Sequence, residues 1–253
     1  MELRDNLDIS FDNKENIKEN FEVKENARCQ LFLSNFGESN ELFFDLKRNA
    51  FLQIGIIVDK AVKDLKITAN VEENSQIIVY FAEFSIETIN LDARINLNEI
   101  GASAEWHLAS LSSDNDNKKI SVSIIHNAPE TTGKVDNYGV VKKSGKLLFS
   151  GTSHIINGSI KSKTNQNAKI MVFDSTSDAI AKPILKIDEN DIEASHAAAV
   201  GKISDEHLFY LTSRGISMDE ARTLITLGYL KPIFKGFDEE KVAHIDELIG
   251  GRL

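Results

Sequence analysis

Between residues 29 and 193 the chain is a succession of short β-runs with no helix-period segment of any length among them. Runs fall at residues 42–44, 51–58, 65–71, 77–84, 86–97, 120–125, 146–149, 154–156, 169–173 and 184–187. From Ile89 to Leu97 apolar and polar residues alternate, so period two puts an apolar stripe on one face of a strand. The run from Phe51 to Val58 is almost continuously apolar, as in a strand buried on both faces. Parallel strands of an open α/β sheet need helical crossovers, and none is present to serve. An all-β body remains: sandwich, barrel or solenoid. Asn residues at the strand ends suit the bends of a solenoid, but there is no tight hexapeptide or nonapeptide repeat. Spacing alone therefore leaves solenoid and sandwich both open.

After residue 200 the pattern becomes helical. Ser204-Asp205-Glu206 opens a helix expected to end at Gly215. Ser217 and Glu220 stand at capping-box spacing, with each side chain able to satisfy the other's free backbone N–H. Asp238 reads as the N-cap of a third helix. Phe237 and Val242 sit at hydrophobic-staple spacing around it, and Gly250-Gly251 stop it. The expected organisation is an entry segment over residues 1–28, a β-core over 29–200 and a helical region over 201–253.

Composition narrows the function classes. A net charge of −10 argues against broad binding to nucleic acid or anionic membrane, since both need an excess of Lys and Arg. One cysteine, Cys29, excludes an internal disulfide framework and any all-cysteine metal site within one chain. No apolar run approaches the roughly 20 residues that span a bilayer, and the N-terminus lacks a signal-peptide layout. The expected location is the cytoplasm.

Several polar clusters invite a chemical reading. The segment from His126 to Gly133 follows a strand directly, and its Asn and Thr suit a side-chain-stabilised turn better than a His126/Glu130 acid–base pair. Residues 139–147 look like a phosphate loop but fail it: five residues separate Gly139 from Gly145, and Leu147 stands where Ser or Thr would bind Mg²⁺. They read as a turn with exposed lysines. His154, with Ser150, Ser153 and Asp174 nearby in sequence, has no nucleophile elbow. Cys29 and His107, beside Trp106, read as strand residues. His196 lies among small residues, Ala194-Ser195-His196-Ala197-Ala198. By composition it is first a hydrogen-bonding histidine at a junction and second a metal ligand, since imidazole suits transition metals.

Three segments carry more than composition. They are His126-Asn-Ala-Pro-Glu-Thr-Thr, the stretch from Pro183 through Glu-Ala-Ser-His196-Ala to Gly201, and Glu206-His-Leu-Phe-Tyr-Leu-Thr-Ser-Arg-Gly-Ile216. Their order and spacing resemble the SufB/SufD family of the SUF iron–sulfur cluster assembly machinery, over residues 100–235 and weakly before that. The resemblance implies a right-handed parallel β-helix (solenoid) core followed by a small helical tail.

It also implies a role: a non-catalytic subunit that pairs with a SufB-like paralogue and docks a SufC-like ABC ATPase. In the family the SufB side carries a core cysteine, and glutamates flank the junction histidine. Here Ser195 and Ala197 flank it, which places the chain on the SufD side. Ala194 and Ala197 also depart from the cysteine and glycine of many relatives, leaving His196 as the implied iron or cluster ligand at the subunit interface. Glu206, Leu208, Phe209, Tyr210, Arg214 and Gly215 fall in the implied ATPase-docking region. No cofactor is expected to be held by the chain alone; an iron–sulfur cluster would be transient at the interface. Relatives often have a helical region before the core, whereas this chain begins almost at the core. Two other readings stand beside this one. One is a polysaccharide-active β-solenoid enzyme using Glu83, Glu87 and Asp92 on one exposed face; the other is a structural homodimer.

Overall fold

The computed structural model describes residues 1–12 and 15–252. Sixteen strands run in chain order among them: β1 Glu2–Leu3, β2 Leu7–Ser10, β3 Asn16–Val23, β4 Arg28–Ser34, β5 Ser39–Leu46, β6 Phe51–Val58, β7 Asp64–Val71 and β8 Gln76–Glu83. There follow β9 Thr88–Leu97, β10 Ser103–Ser112, β11 Asn117–His126, β12 Thr132–Val141, β13 Lys146–Ile155, β14 Lys163–Val172, β15 Asp178–Ile187 and β16 Glu193–Lys202. Odd strands form one eight-stranded sheet and even strands another, each in chain order and parallel throughout. The crossover that parallel pairing demands is thus a strand of the opposite sheet rather than a helix. This settles the choice left open above: the body is a parallel β-solenoid. The segment expected as an entry supplies the first three strands.

The register explains why no repeat was visible. Arg28 pairs with Phe51, Phe51 with Gln76, Gln76 with Ser103, Ser103 with Thr132, and Thr132 with Lys163. These steps are 23, 25, 27, 29 and 31 residues. Over these steps of the even sheet each turn is two residues longer than the one before; the last, Lys163 to Glu193, is 30 residues. Inward residues stay opposite inward residues on every rung, while the varying step removes any fixed period. Strand length grows with it, from 8 residues in β6 to 10 in β10.

Six successive turns have a residue at positive φ at one corner. Asn26, Asn49, Asn74, Gly101, Glu130 and Lys161 occupy successive odd-to-even corners. Asn tolerates this region better than most residues, which accounts for the asparagines at the strand ends.

The lumen is filled from both sheets by Phe21, Phe44, Phe81, Trp106 and Phe149 among aliphatic residues. A second core lies outside the even sheet, where the tail packs across it. The tail comprises α1 Asp205–Ser213, α2 Met218–Leu230, a 3₁₀ turn over Lys231–Gly236, and α3 Glu239–Gly250. The caps are those expected: Ser204, Ser217 with its full box to Glu220, and Asp238. Ile57, Phe84, Leu111 and Val140 of the sheet side meet Leu208, Leu230, Phe234 and Ile249 of the tail. Gly236 lies flat on the Tyr80 ring, leaving no room for a Cβ. Arg252 fastens the far end: it donates to the carbonyls of Phe84 (3.0 Å) and Ser85 (2.7 Å) and pairs with Asp116. No helix among the described residues is long and apolar enough to cross a membrane.

Candidate functional site

The two ends of the solenoid differ. β1 and β2, of 2 and 4 residues, close the narrow end, where Leu3 and Phe11 are fully buried. At the wide end β15 and β16 are 10-residue edge strands, each paired on one side only. Such edges present unpaired backbone N–H and C=O groups. The register carries the interior columns onto them. Trp106 pairs with Val135, Val135 with Gln166, and Gln166 with His196. His196 therefore stands in an inward-facing column on the last strand, with Ala194 and Ala198 beside it, yet it is exposed because no further turn covers it. Ile180 and Val200 on the same two strands are also about half exposed.

Toward this end the lumen turns polar. Thr164 and Gln166 both donate to Ser153 Oγ, at 2.8 and 2.7 Å, and Gln166 Nε2 also reaches the Ile184 carbonyl at 3.1 Å.

His126 is fully buried at the end of β11, with Nδ1 2.8 Å from Thr131 Oγ1. Burial, assisted by the charge of His154, lowers its pKa to about 4. Glu130 sits at the positive-φ corner and pairs outward with Lys161 (3.8 Å), so the two make no acid–base pair. His154 pairs with Asp188 at 2.7 Å, Ser153 faces the lumen, and Asp174 accepts the Lys143 backbone N–H; no triad assembles. Residues 139–147 span the end of β12, a turn and the start of β13. The lysines expected to be exposed there are not all so: Lys142 is buried, and burial holds its ammonium pKa below the usual range.

His107 lies in β10, stacked on Tyr80, between Glu105 and Asp136 at 3.1 Å each. Burial opposes ionisation of Asp136, but hydrogen bonds from His107, Asn167 and Lys134 hold its carboxyl well below the usual range. Cys29 is buried in β4, and burial raises its thiol pKa; a raised pKa makes an inert thiol. Glu83 is fully buried, Glu87 makes a positive-φ corner and Asp92 faces outward from β9. The three do not share an exposed face. Glu83 belongs instead to a buried pair that sequence reasoning missed, with Lys118 Nζ at 2.9 and 2.8 Å from its two oxygens.

On the tail, Phe209 and Tyr210 are 73% and 57% exposed, and the Arg214 guanidinium lies over the Tyr210 ring at 5.1 Å. Glu206 is exposed in the first turn of α1, and Gly215 turns the chain at φ 86°. Leu208 points the other way, into the core beneath the tail. Met218 and Leu224, also about half exposed, extend the apolar surface into α2. Among the described residues no group of three His, Cys, Asp or Glu side chains could hold a metal ion.

These features define a two-sheet parallel β-solenoid with one uncovered, histidine-bearing end and a helical appendage presenting aromatic side chains. The chain belongs to the family described as SUF system FeS cluster assembly, SufBD core domain, whose model matches residues 20–229. It is similar to the iron-sulfur cluster assembly protein SufD of Bacillus subtilis, 37% identical over 110 residues, covering 44% of this chain and 25% of that protein. Iron-sulfur cluster assembly SufBD family proteins of Staphylococcus haemolyticus and Staphylococcus epidermidis are each 31% identical over 126 residues, covering 50% of this chain and 27% of theirs. The chain thus matches about a quarter of the length of these relatives.

Proposed function

We propose that this chain is a non-catalytic subunit of a cytoplasmic iron–sulfur assembly scaffold. Its wide end pairs with a cysteine-bearing, SufB-like chain, and its tail docks a SufC-like ABC ATPase. The observation that carries the reading is the uncovered last turn, where two 10-residue edges and an inward-column histidine await a partner. The nascent cluster is the cargo. A single imidazole cannot hold it, so the remaining ligands come from across the interface. Cargo binding then depends on assembly. Phe209 and Tyr210 with Arg214 supply the large side chains typical of interface anchors. ATP-driven closure of the ATPases acts on the tails, and the coupling resides in differential contacts in the two ATPase states.

Co-purification with a SufB-like chain and a SufC-like ATPase tests the assembly. His196→Ala is expected to leave the complex intact and abolish its iron loading; a variant complex loading normal iron would sink the ligand assignment. Phe209→Ser with Tyr210→Ser is expected to weaken ATPase binding at least tenfold. Undiminished binding would move the docking surface elsewhere.

A further inference from the structure

Asn157 and Gly158 form the only Asn-Gly pair in the chain. They stand exposed in the turn between β13 and β14, with Gly158 at φ 91° and open space where a Cβ would lie. In such a pair the glycine nitrogen can attack the asparagine side-chain carbonyl, because no Cβ on the glycine obstructs the approach. Here that nitrogen is engaged. Gly158 N–H donates to Glu189 Oε2 at 2.9 Å, and Glu189 Oε1 accepts the Asn190 N–H at 2.8 Å. The Asn190 and Gly158 N–H groups hold the Glu189 carboxyl below the usual carboxylate range, so it remains an anionic acceptor. Asn157 Nδ2 reaches the Asp188 carbonyl at 3.4 Å, and Lys161 N–H donates to the Asp191 carbonyl at 2.6 Å. All these acceptors lie in the last corner of the solenoid, between the edge strands β15 and β16, which are each paired on one side only. An end turn is where local opening costs least.

We infer that Asn157 is a self-modifying site and that Glu189 is its guard. While the last corner is closed, the Gly158 nitrogen keeps its proton in the bond to Glu189, and Asn157 persists. When the corner opens, that proton passes to water and the nitrogen attacks Asn157 Cγ. The new N–C bond closes a succinimide ring as the Cγ–Nδ2 bond breaks, and ammonia leaves with a proton from solvent. Water then opens the ring at either carbonyl. The net change is asparagine plus water to aspartate or isoaspartate plus ammonium, with no oxidant or reductant. The product has no N–H for the Asp188 carbonyl, and its carboxylate stands beside Asp188 and Glu189. Like charges repel, so the corner closes less well after the reaction. The site records how long the last turn has stood open.

The test incubates the full chain at mildly alkaline pH and follows deamidation of the Asn157 peptide by mass spectrometry, with the same chain in urea as the unguarded reference. The parent is expected to react severalfold more slowly folded than in urea. Glu189→Ala should raise the folded rate severalfold and leave the rate in urea unchanged. Glu189→Gln, which keeps an acceptor, should stay close to the parent. Hydrogen exchange in β10, unchanged in both variants, keeps the comparison among folded chains. Asn157→Asp, which carries the product's carboxylate from the start, should quicken exchange in the corner holding Asp188 and Glu189. Three results each overturn the inference: a parent that reacts as fast folded as in urea, a folded Glu189→Ala rate equal to the parent's, or an Asn157→Asp corner that exchanges no faster.

Discussion

Lys118→Met removes the cation from a fully buried pair. Lys118 Nζ donates to both Glu83 oxygens, at 2.9 and 2.8 Å, and to the Ser85 carbonyl at 2.8 Å. Both side chains are without solvent exposure. The variant leaves the Glu83 carboxylate with only the Ser85 backbone N–H (3.0 Å) and the hydroxyls of Ser85 and Ser110. Stranding one member of a buried pair costs about 3–5 kcal/mol. For a chain of this length that is a fall of about 6–20 °C in Tm. Glu83→Gln in the Lys118→Met background removes the stranded charge while keeping groups for both serines. The double variant is therefore expected to recover at least half the loss, a coupling of about 2 kcal/mol. Urea unfolding followed by Trp106 fluorescence measures this, since Trp106 is the only tryptophan and is fully buried on β10, the strand that carries Ser110. An unchanged unfolding midpoint in Lys118→Met, or a double variant as unstable as the sum of the singles, would refute the argument.

His126 gives a pH dependence. Its folded pKa of about 4 lies below the ordinary 6.5, so the neutral form is favoured in the fold. That contribution, about 3 kcal/mol, is complete above pH 6.5 and is lost as pH falls from 6.5 toward 4. Denaturation at a series of pH values should show the total loss of stability between pH 6.5 and 4 smaller by about that amount in His126→Gln. Gly236→Ala drives a Cβ into the Tyr80 ring, an overpacking cost of about 1–3 kcal/mol; hydrogen exchange should quicken in α3 and stay unchanged in β10. Arg252→Ala removes the fastening to Phe84, Ser85 and Asp116 and should fray the end of α3 in the same measurement.

The legible parts of the sequence were those whose lumen face is apolar. The run over residues 51–58 coincides with β6, and the alternation from Ile89 is the inward set of β9. Reading failed where polar groups face inward. Lys118 occupies a lumen position, so the run seen from Ile120 is really β11 from Asn117. Ser153 split β13 into two apparent pieces. Thr164 and Gln166 hid the first half of β14, of which only the end was read. β12 escaped because Gly133, Asn137 and Gly139 stand in its inward set, and β10 was read only at His107; β16, rich in Ala, was placed as the last strand only through the resemblance. The helix caps were fully legible, since capping is local chemistry. His196 stood out through resemblance rather than chemistry, and its place on the last strand follows from a register no local pattern encodes. Leu208, named with its exposed neighbours, proved to face the core.

The strands lengthen over the first turns and hold at ten residues from β9 onward, so the two rims are unlike. A uniform solenoid with open ends is a monomer unit for a filament, because each copy offers the next an identical edge to extend. Here the wide rim carries ten residues on each strand, while the narrow rim carries two and four. A head-to-tail neighbour would leave most of the wide ladder unpaired. Were two wide rims to pair, no edge of equal length would remain among the described residues for a third chain. The unequal rims therefore disfavour head-to-tail stacking of the described residues, and that inequality lies in strand length rather than in any single side chain.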